Sequence, residues 1–262
     1  MAVSLIRPAM LRPLRLSPTS LHRWRECPHA YWHAYIRNSP AEVVFNRPME
    51  RGGAIHNVLK ACFDNLQAAG EFPGDLMALA AEYLPPYRYP DRETWREDVE
   101  WIARLAAGYL GTVAAPQARA HLLGLEWVCH FTHEEYPSFI LTARADRVVR
   151  LPDGRIRVIE YKSGKPDTYD LVQIAALHLC VANTLRCDAQ SVTVSTVFLR
   201  TNDEREWEFG PGIAEYRARI IDIAHAIRLA TPDATRFAPT PGPFCRNCPY
   251  VGLCPAAPDE FR

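Results

Sequence analysis

Lysine is scarce in this chain of 262 residues: only three of its thirty basic side chains are lysines, Lys60, Lys162 and Lys165. The formal net charge is zero, which excludes binding of nucleic acid through bulk positive charge and confines any such surface to a local patch. No segment approaches the run of roughly 18 apolar residues that spans a bilayer. Eight cysteines in a chain of this size do not make a dense disulfide framework, and there is no internal repeat or low-complexity tract. A hydrophobic content of 48% excludes a disordered chain and suits one enzyme-sized domain. The expectation is a reduced, cytoplasmic protein. Met1 to Ser20 bears arginines and no acid, superficially like a transit peptide, but lacks the continuous apolar stretch of a secretory signal.

What is present is concentrated at a few positions. Two of the three lysines, Lys162 and Lys165, stand close together in an arginine-biased sequence. An ammonium is a compact point donor that fits beside a reacting phosphate and a water, where the planar guanidinium does not. Four cysteines also stand out: Cys27 near the start, then Cys245, Cys248 and Cys254 in a C-x2-C-x5-C run near the end. They form a set of four soft ligands suited to an iron–sulfur cluster or to zinc. Zinc knuckles usually come as two close pairs, so the remote Cys27 favours the cluster. Cys62, Cys129, Cys180 and Cys187 have no such spacing and read as small buried hydrophobes.

The pattern along the chain is helical, then extended, then helical. Ser17-Pro18 caps an amphipathic helix running through Leu21, Trp24, Ala30, Tyr31 and Tyr35 and carrying Cys27. A linker over 38–48 leads to Arg51-Gly52-Gly53 and a second helix with His56 in its first turns. Further helices are expected over 75–83 and 93–113, separated by the proline- and tyrosine-rich 85–90. Strands follow over 122–132, 139–150 and 155–162, the last two joined by Asp153-Gly154. A helix over 171–183, a strand over 191–200 and a helix over 212–230 precede the proline-rich tail. The chain thus reads as one domain, 1–262, with a mainly helical part (17–116), a sheet core (117–200) and a C-terminal helix and cysteine lobe (212–262).

Period-two alternation on the strand 155–162 places Glu160 and Lys162 on one face. A two-residue turn at Asp153-Gly154 leaves Asp146 on the wrong side. One more residue, with Gly154 left-handed as a bulge, pairs Asp146 with Glu160 and brings all three groups together. Two opposed carboxylates repel unless a cation lies between them. A divalent ion there polarises a phosphoryl oxygen and acidifies a water, while Lys162 orients the nucleophile or offsets developing charge. The implied reaction is phosphodiester hydrolysis.

Asp146-x13-Glu160-Tyr161-Lys162 after a hairpin, with Gln173 on the next helix, resembles the PD-(D/E)XK nuclease superfamily. His56 after Gly52-Gly53 and the one-plus-three cysteines resemble its RecB-like exonucleases with an iron–sulfur cluster, a group including the AddB nuclease domain and CRISPR-associated nucleases. The resemblance runs from Cys27 to Cys254. It implies an α/β restriction-endonuclease-like core, a mixed central sheet flanked by helices, with a cysteine-held lobe joining the two termini. It further implies His56, Asp146 and Glu160 as metal ligands together with the Tyr161 backbone carbonyl, Lys162 as the catalytic lysine, and Gln173 as a holder of the DNA backbone or of the lysine. Cys27, Cys245, Cys248 and Cys254 would hold a [4Fe–4S] cluster, with zinc as the alternative. The imidazole favours Mn²⁺ somewhat, and Mg²⁺ is the more available ion. Ala145 replaces the motif's proline, Ala143 a common glycine, and Leu177 a usual tyrosine that contacts DNA.

The expected function is a metal-dependent DNA exonuclease acting on single strands or DNA ends in repair, recombination or CRISPR adaptation, with a helicase or CRISPR adaptation partner. The alternative is a non-catalytic DNA-binding or structural subunit of a helicase–nuclease complex. Arg144, Arg147, Arg150, Arg155 and Arg157 crowd the hairpin and either grip phosphates or form its solvent face. Trp24, Trp32, Tyr87 and Tyr89 either stack bases or, more in keeping with tryptophan on a helix, pack helices.

Overall fold

The computed structural model of the protein describes residues 13–41, 45–113, 120–133, 139–164 and 170–261. Lys165 lies outside them. The architecture is a mixed α/β fold with helices on both faces of a six-stranded sheet. Its strands are β1 (Leu14–Leu16), β2 (His121–Phe131), β3 (Phe139–Arg150), β4 (Ile156–Lys162), β5 (Val192–Phe198) and β6 (Asp203–Trp207). On one face lie α1 (Pro18–Glu26), α6 (Leu171–Leu185) and α7 (Ile213–Ala230); on the other lie α3 (Arg47–Ala69), α4 (Leu76–Tyr83) and α5 (Arg92–Val113). Strand alternation divides the core between these layers: Val148 and Val158 face α6, whereas Val149 and Ile159 face α3 and α5. No helix among the described residues is long and apolar enough to cross a membrane.

The long strand β3 organises the sheet. Leu141 pairs with both Leu16 of β1 and Phe131 of β2, so those two strands lie on opposite edges of β3. Further along, Arg147 to Arg150 pair with β2 on one side and with Ile156 to Ile159 of β4 on the other. Strands β1 and β4 therefore share one edge of β3, and a gap opens between them alongside Thr142 to Asp146. Parallel pairing of β4 with β5, bridged by α6, extends the sheet beyond the gap.

Three local expectations are corrected. The first helix does not run unbroken through Cys27. It ends at Glu26, Cys27 is extended (φ −157°, ψ 106°), and the short α2 (Pro28–Tyr31) starts anew and passes into a π-turn over Trp32–Ile36. Pro28 is the cause, since the residue before proline is driven out of the helical region. The second helix starts at Arg47, not at Gly52-Gly53, capped by the Asn46 side chain with Pro48 in its first turn. The two glycines cost about 1 kcal/mol each inside a helix, which burial of Ala54, Ile55, Val58, Leu59 and Phe63 offsets. Arg47 and Arg51 also bind the same buried Asp98 of α5 and fix those first turns. Strands β1 and β6, of three and five residues, lie outside the expected sheet segment.

Candidate active site

The β3–β4 hairpin has the expected bulged form. Leu151 donates to the Arg155 carbonyl at 2.8 Å, Gly154 donates to the Leu151 carbonyl at 2.9 Å, and Gly154 takes φ 88°, a left-handed value that glycine adopts without steric cost. Pairing then runs from Arg150↔Ile156 to Arg147↔Ile159, which sets Asp146 opposite Glu160. There the strands part. In the alternating pattern of an antiparallel ladder the Tyr161 N–H would next donate to the Ala145 carbonyl; it donates instead to Asp146 Oδ2, at 2.7 Å. The face alternation of β3 breaks at the same point, with Ala145 in the α6 layer and Arg147 against Phe63 and Tyr109 in the other.

The second oxygen of Asp146 meets His56. Helix α3 delivers the imidazole across the sheet end, with Nδ1 3.0 Å from Asp146 Oδ1 and the ring edge-on to Tyr161. A third side chain that could hold a metal ion, Glu126 of β2, was not expected. The pairs Leu125↔Arg147 and Trp127↔Ala145 place it opposite Asp146 on the edge away from β4. Glu126 has φ 46°, a conformation that costs a non-glycine residue about 1–3 kcal/mol and clusters at functional sites. One ligand atom from each of His56, Glu126 and Asp146 lies within 4.8 Å of the others. The sequence signal for Glu126 is a lone carboxylate inside the apolar run Leu122 to Val128.

Glu160 stands outside this group of three and accepts a 2.8 Å hydrogen bond from Lys162 Nζ. Burial and the neighbouring Asp146 push the Glu160 carboxyl up to about 7, against the lowering pull of Lys162 and His56. Burial and Asp146 also raise Glu126. For His56, burial pulls downward but is outweighed by the bond and charge of Asp146, helped by Glu160 and Glu126, so it is raised to about 9. Without a metal, three carboxylates hold a proton on the imidazole; a divalent cation answers the same excess of negative charge. Tyr161 is seen to contribute its N–H to Asp146.

The gap between β1 and β4 forms a groove of about 570 Å³. Glu160, Lys162, Arg144 and Gln173 line it on the polar side, and Val128, Ile174 and Leu177 give it an apolar wall. Gln173 is thereby brought to the same opening as Lys162. Of the hairpin arginines only Arg144 lines the groove. Arg147 is buried with its guanidinium 4.0 Å from the Phe63 ring centroid, while Arg157 pairs with Glu204 and Glu206, and Arg155 with Asp153 and Glu208. Trp24 packs edge-on against Tyr31 and Phe237, Trp32 stacks on His29, and Tyr89 is buried against Asp98. Tyr87 is exposed.

Cys27, Cys245, Cys248 and Cys254 surround one small pocket lined also by Ala30, Phe244 and Tyr250. Backbone N–H groups of Thr240 and Gly242 point at the sulfurs of Cys27 and Cys245, at 3.5 and 3.4 Å. No disulfide joins any of the eight cysteines. Cys62, Cys129 and Cys180 are fully buried and Cys187 partly so.

Among curated proteins, none matches the sequence. The solved structure of SSO0001 aligns with a TM-score of 0.40 and 11% identity, covering 95% of this chain and 90% of that one. The model of the PD-(D/E)XK nuclease superfamily matches residues 15–255, a span holding the hairpin, His56, Gln173 and all four clustered cysteines. The chain belongs to the PD-(D/E)XK nuclease superfamily, whose members are generally metal-dependent nucleases acting on nucleic acid.

Proposed function

We propose that the chain is a metal-dependent DNA exonuclease of the RecB-like kind, acting on single strands or DNA ends in repair, recombination or CRISPR adaptation. The observation that carries this reading is a juxtaposition: His56, Glu126 and Asp146 meet where β3 and β4 part, and the Lys162–Glu160 pair opens from the same point into the groove. The donor set of one imidazole and carboxylates fits Mg²⁺ or Mn²⁺. When bound, such an ion would polarise a phosphoryl oxygen and lower the pKa of a water. Asp146 presents one oxygen while the Tyr161 N–H fixes the other. Glu160 anchors the Lys162 ammonium beside the groove, where it orients the nucleophile or offsets charge on the phosphate. Glu160 and the Tyr161 carbonyl are the further ligands expected of the family, and Gln173 holds the strand backbone or the lysine.

The groove's apolar wall of Val128, Ile174 and Leu177 supports a single strand as substrate, because unpaired bases offer faces that a duplex hides. The four thiols support a [4Fe–4S] cluster over zinc. One remote thiolate beside a single C-x2-C-x5-C run, in place of two close pairs, favours the cluster. The N–H groups aimed at Cys27 and Cys245 suit thiolate ligands. Eight cysteines with no disulfide among them fit a reducing, cytoplasmic setting, with a helicase or CRISPR adaptation protein as partner. The chain then acts as one nuclease domain closed by its cysteine lobe.

Incubation of end-labelled linear and circular single strands with Mn²⁺ or Mg²⁺ tests the reading. Linear DNA should be shortened from an end and circles spared. Cutting of circles at the same rate contradicts an exonuclease, and tight binding with no cutting in any divalent ion replaces the enzyme by a DNA-binding subunit.

A further inference from the structure

Ligands of open α/β sheets gather beyond the carboxyl ends of parallel strands. Here β4 and β5 end together at Lys162 and Phe198, and the Leu199 N–H donates to the Lys162 carbonyl at 2.9 Å. The next residue, Arg200, is exposed, and its Nε donates to the Ser163 carbonyl at 2.8 Å. Its guanidinium carbon lies 5.5 Å from the centroid of the Trp101 ring, and that of Arg51 lies 4.8 Å from the same centroid. Arg51 shares Asp98 with Arg47, and Arg47 also reaches Glu97. Asp98 and Glu97 are thus taken up by Arg47 and Arg51, and among the described residues no acid pairs with Arg200.

We infer that Arg200, steadied by Trp101 beside Arg51, binds a backbone phosphate of the nucleic-acid strand where it passes the Lys162 end of the sheet, beyond the groove that faces α6. The inference rests on the nuclease reading. Nε is engaged by Ser163 and the guanidinium face by Trp101, which leaves the terminal NH₂ fork of this exposed side chain to meet a phosphate in bidentate fashion. A purely structural clamp on Ser163 needs the donor but not the charge.

That difference sets the test. Binding of a labelled single-stranded oligonucleotide is followed by fluorescence anisotropy across a salt series, on a Lys162→Ala background that prevents cutting. Arg200→Gln keeps a donor for Ser163 and removes the charge. Losing one phosphate contact should lower the slope of log K against log salt by about 0.7 and weaken binding several-fold at moderate salt. Arg200→Lys should keep the slope, and melting temperature and Mn²⁺ affinity should be unchanged in both. If Arg200→Gln binds with the parent slope and affinity while the wild-type chain still cuts DNA, the phosphate contact is refuted and the nuclease reading stands. If the wild-type chain neither binds nor cuts, both fall.

Discussion

Asp146 takes the Tyr161 N–H on one oxygen, at 2.7 Å, and His56 on the other, at 3.0 Å. A single carboxylate thus completes the hydrogen bonding of a strand that is leaving its neighbour and turns its other oxygen toward His56 at the opening. The parting of β3 and β4 exposes a cleft, and the side chain that makes the parting tolerable belongs to the cleft's chemistry.

Glu126 should matter to metal binding as much as the motif residues do. Glu126→Gln keeps its size and removes one anionic ligand from the group of three. Mn²⁺ affinity measured by titration calorimetry should fall at least about tenfold, the scale seen when residues supporting a metal site are lost, while the circular dichroism spectrum stays unchanged. Equal affinity in the variant would remove Glu126 from the site.

Metal binding should release protons. His56 is raised to about 9 and Glu160 to about 7, so at neutral pH the metal-free site holds protons that a cation must displace. Apparent affinity for Mn²⁺ should climb between pH 7 and 9 by up to about tenfold per unit for each proton displaced. The stability of the metal-free protein runs the other way. Both groups titrate above their ordinary values, so the His56 contribution is full below its unfolded value and lost as pH rises through about 9, and that of Glu160 is lost as pH rises through about 7. Calorimetry in two buffers of different ionisation enthalpy counts the protons; a count of zero contradicts the assignment.

Asp98 anchors the helix that carries His56. It is fully buried and binds Arg47, Arg51 and the Tyr89 hydroxyl. Asp98→Asn removes the charge that two partly exposed arginines share, and losing charged hydrogen bonds of this kind costs about 1.5–3 kcal/mol. Urea denaturation should read a loss of this size. Burial alone would raise the Asp98 carboxyl, but its three partners hold it below the usual range, so its contribution persists above that range and is lost as pH falls through the depressed value.

The cysteine lobe and the cleft should fail separately. Cys248→Ser should abolish the visible absorption of thiolate-bound iron and lower stability by about 3 kcal/mol, a fall in Tm of roughly 6–12 °C. Asp146→Ala should leave the absorption in place. Stoichiometric zinc, and no iron, in anaerobically purified protein would replace the cluster.

Local chemistry made much of the site readable in sequence. The β3–β4 register follows from one glycine in a left-handed turn, and alternation then fixes Glu160 and Lys162. Helix α6 and its Gln173 are set by an apolar run behind an Asp170 cap. What escaped depends on partners remote in the chain. Glu126 joins His56 and Asp146 only because β2 lies antiparallel to β3 in a register set by packing. The break at Cys27 was signalled by Pro28 but masked by helical spacing on either side. The early start of α3 was signalled by Asn46 and Pro48, yet the glycine pair overshadowed them. β1 and β6 are too short for alternation to show, and the sheet recruits them.

The most direct measurement compares the wild-type chain with Lys162→Ala on end-labelled single-stranded DNA in Mn²⁺. The ammonium is held by Glu160 at 2.8 Å at the mouth of the groove, so its loss should reduce cleavage by about 10²–10³-fold, a scale set by removal of one charge-stabilising donor. DNA binding and visible absorption should survive. Cleavage by Lys162→Ala at the wild-type rate would contradict the account.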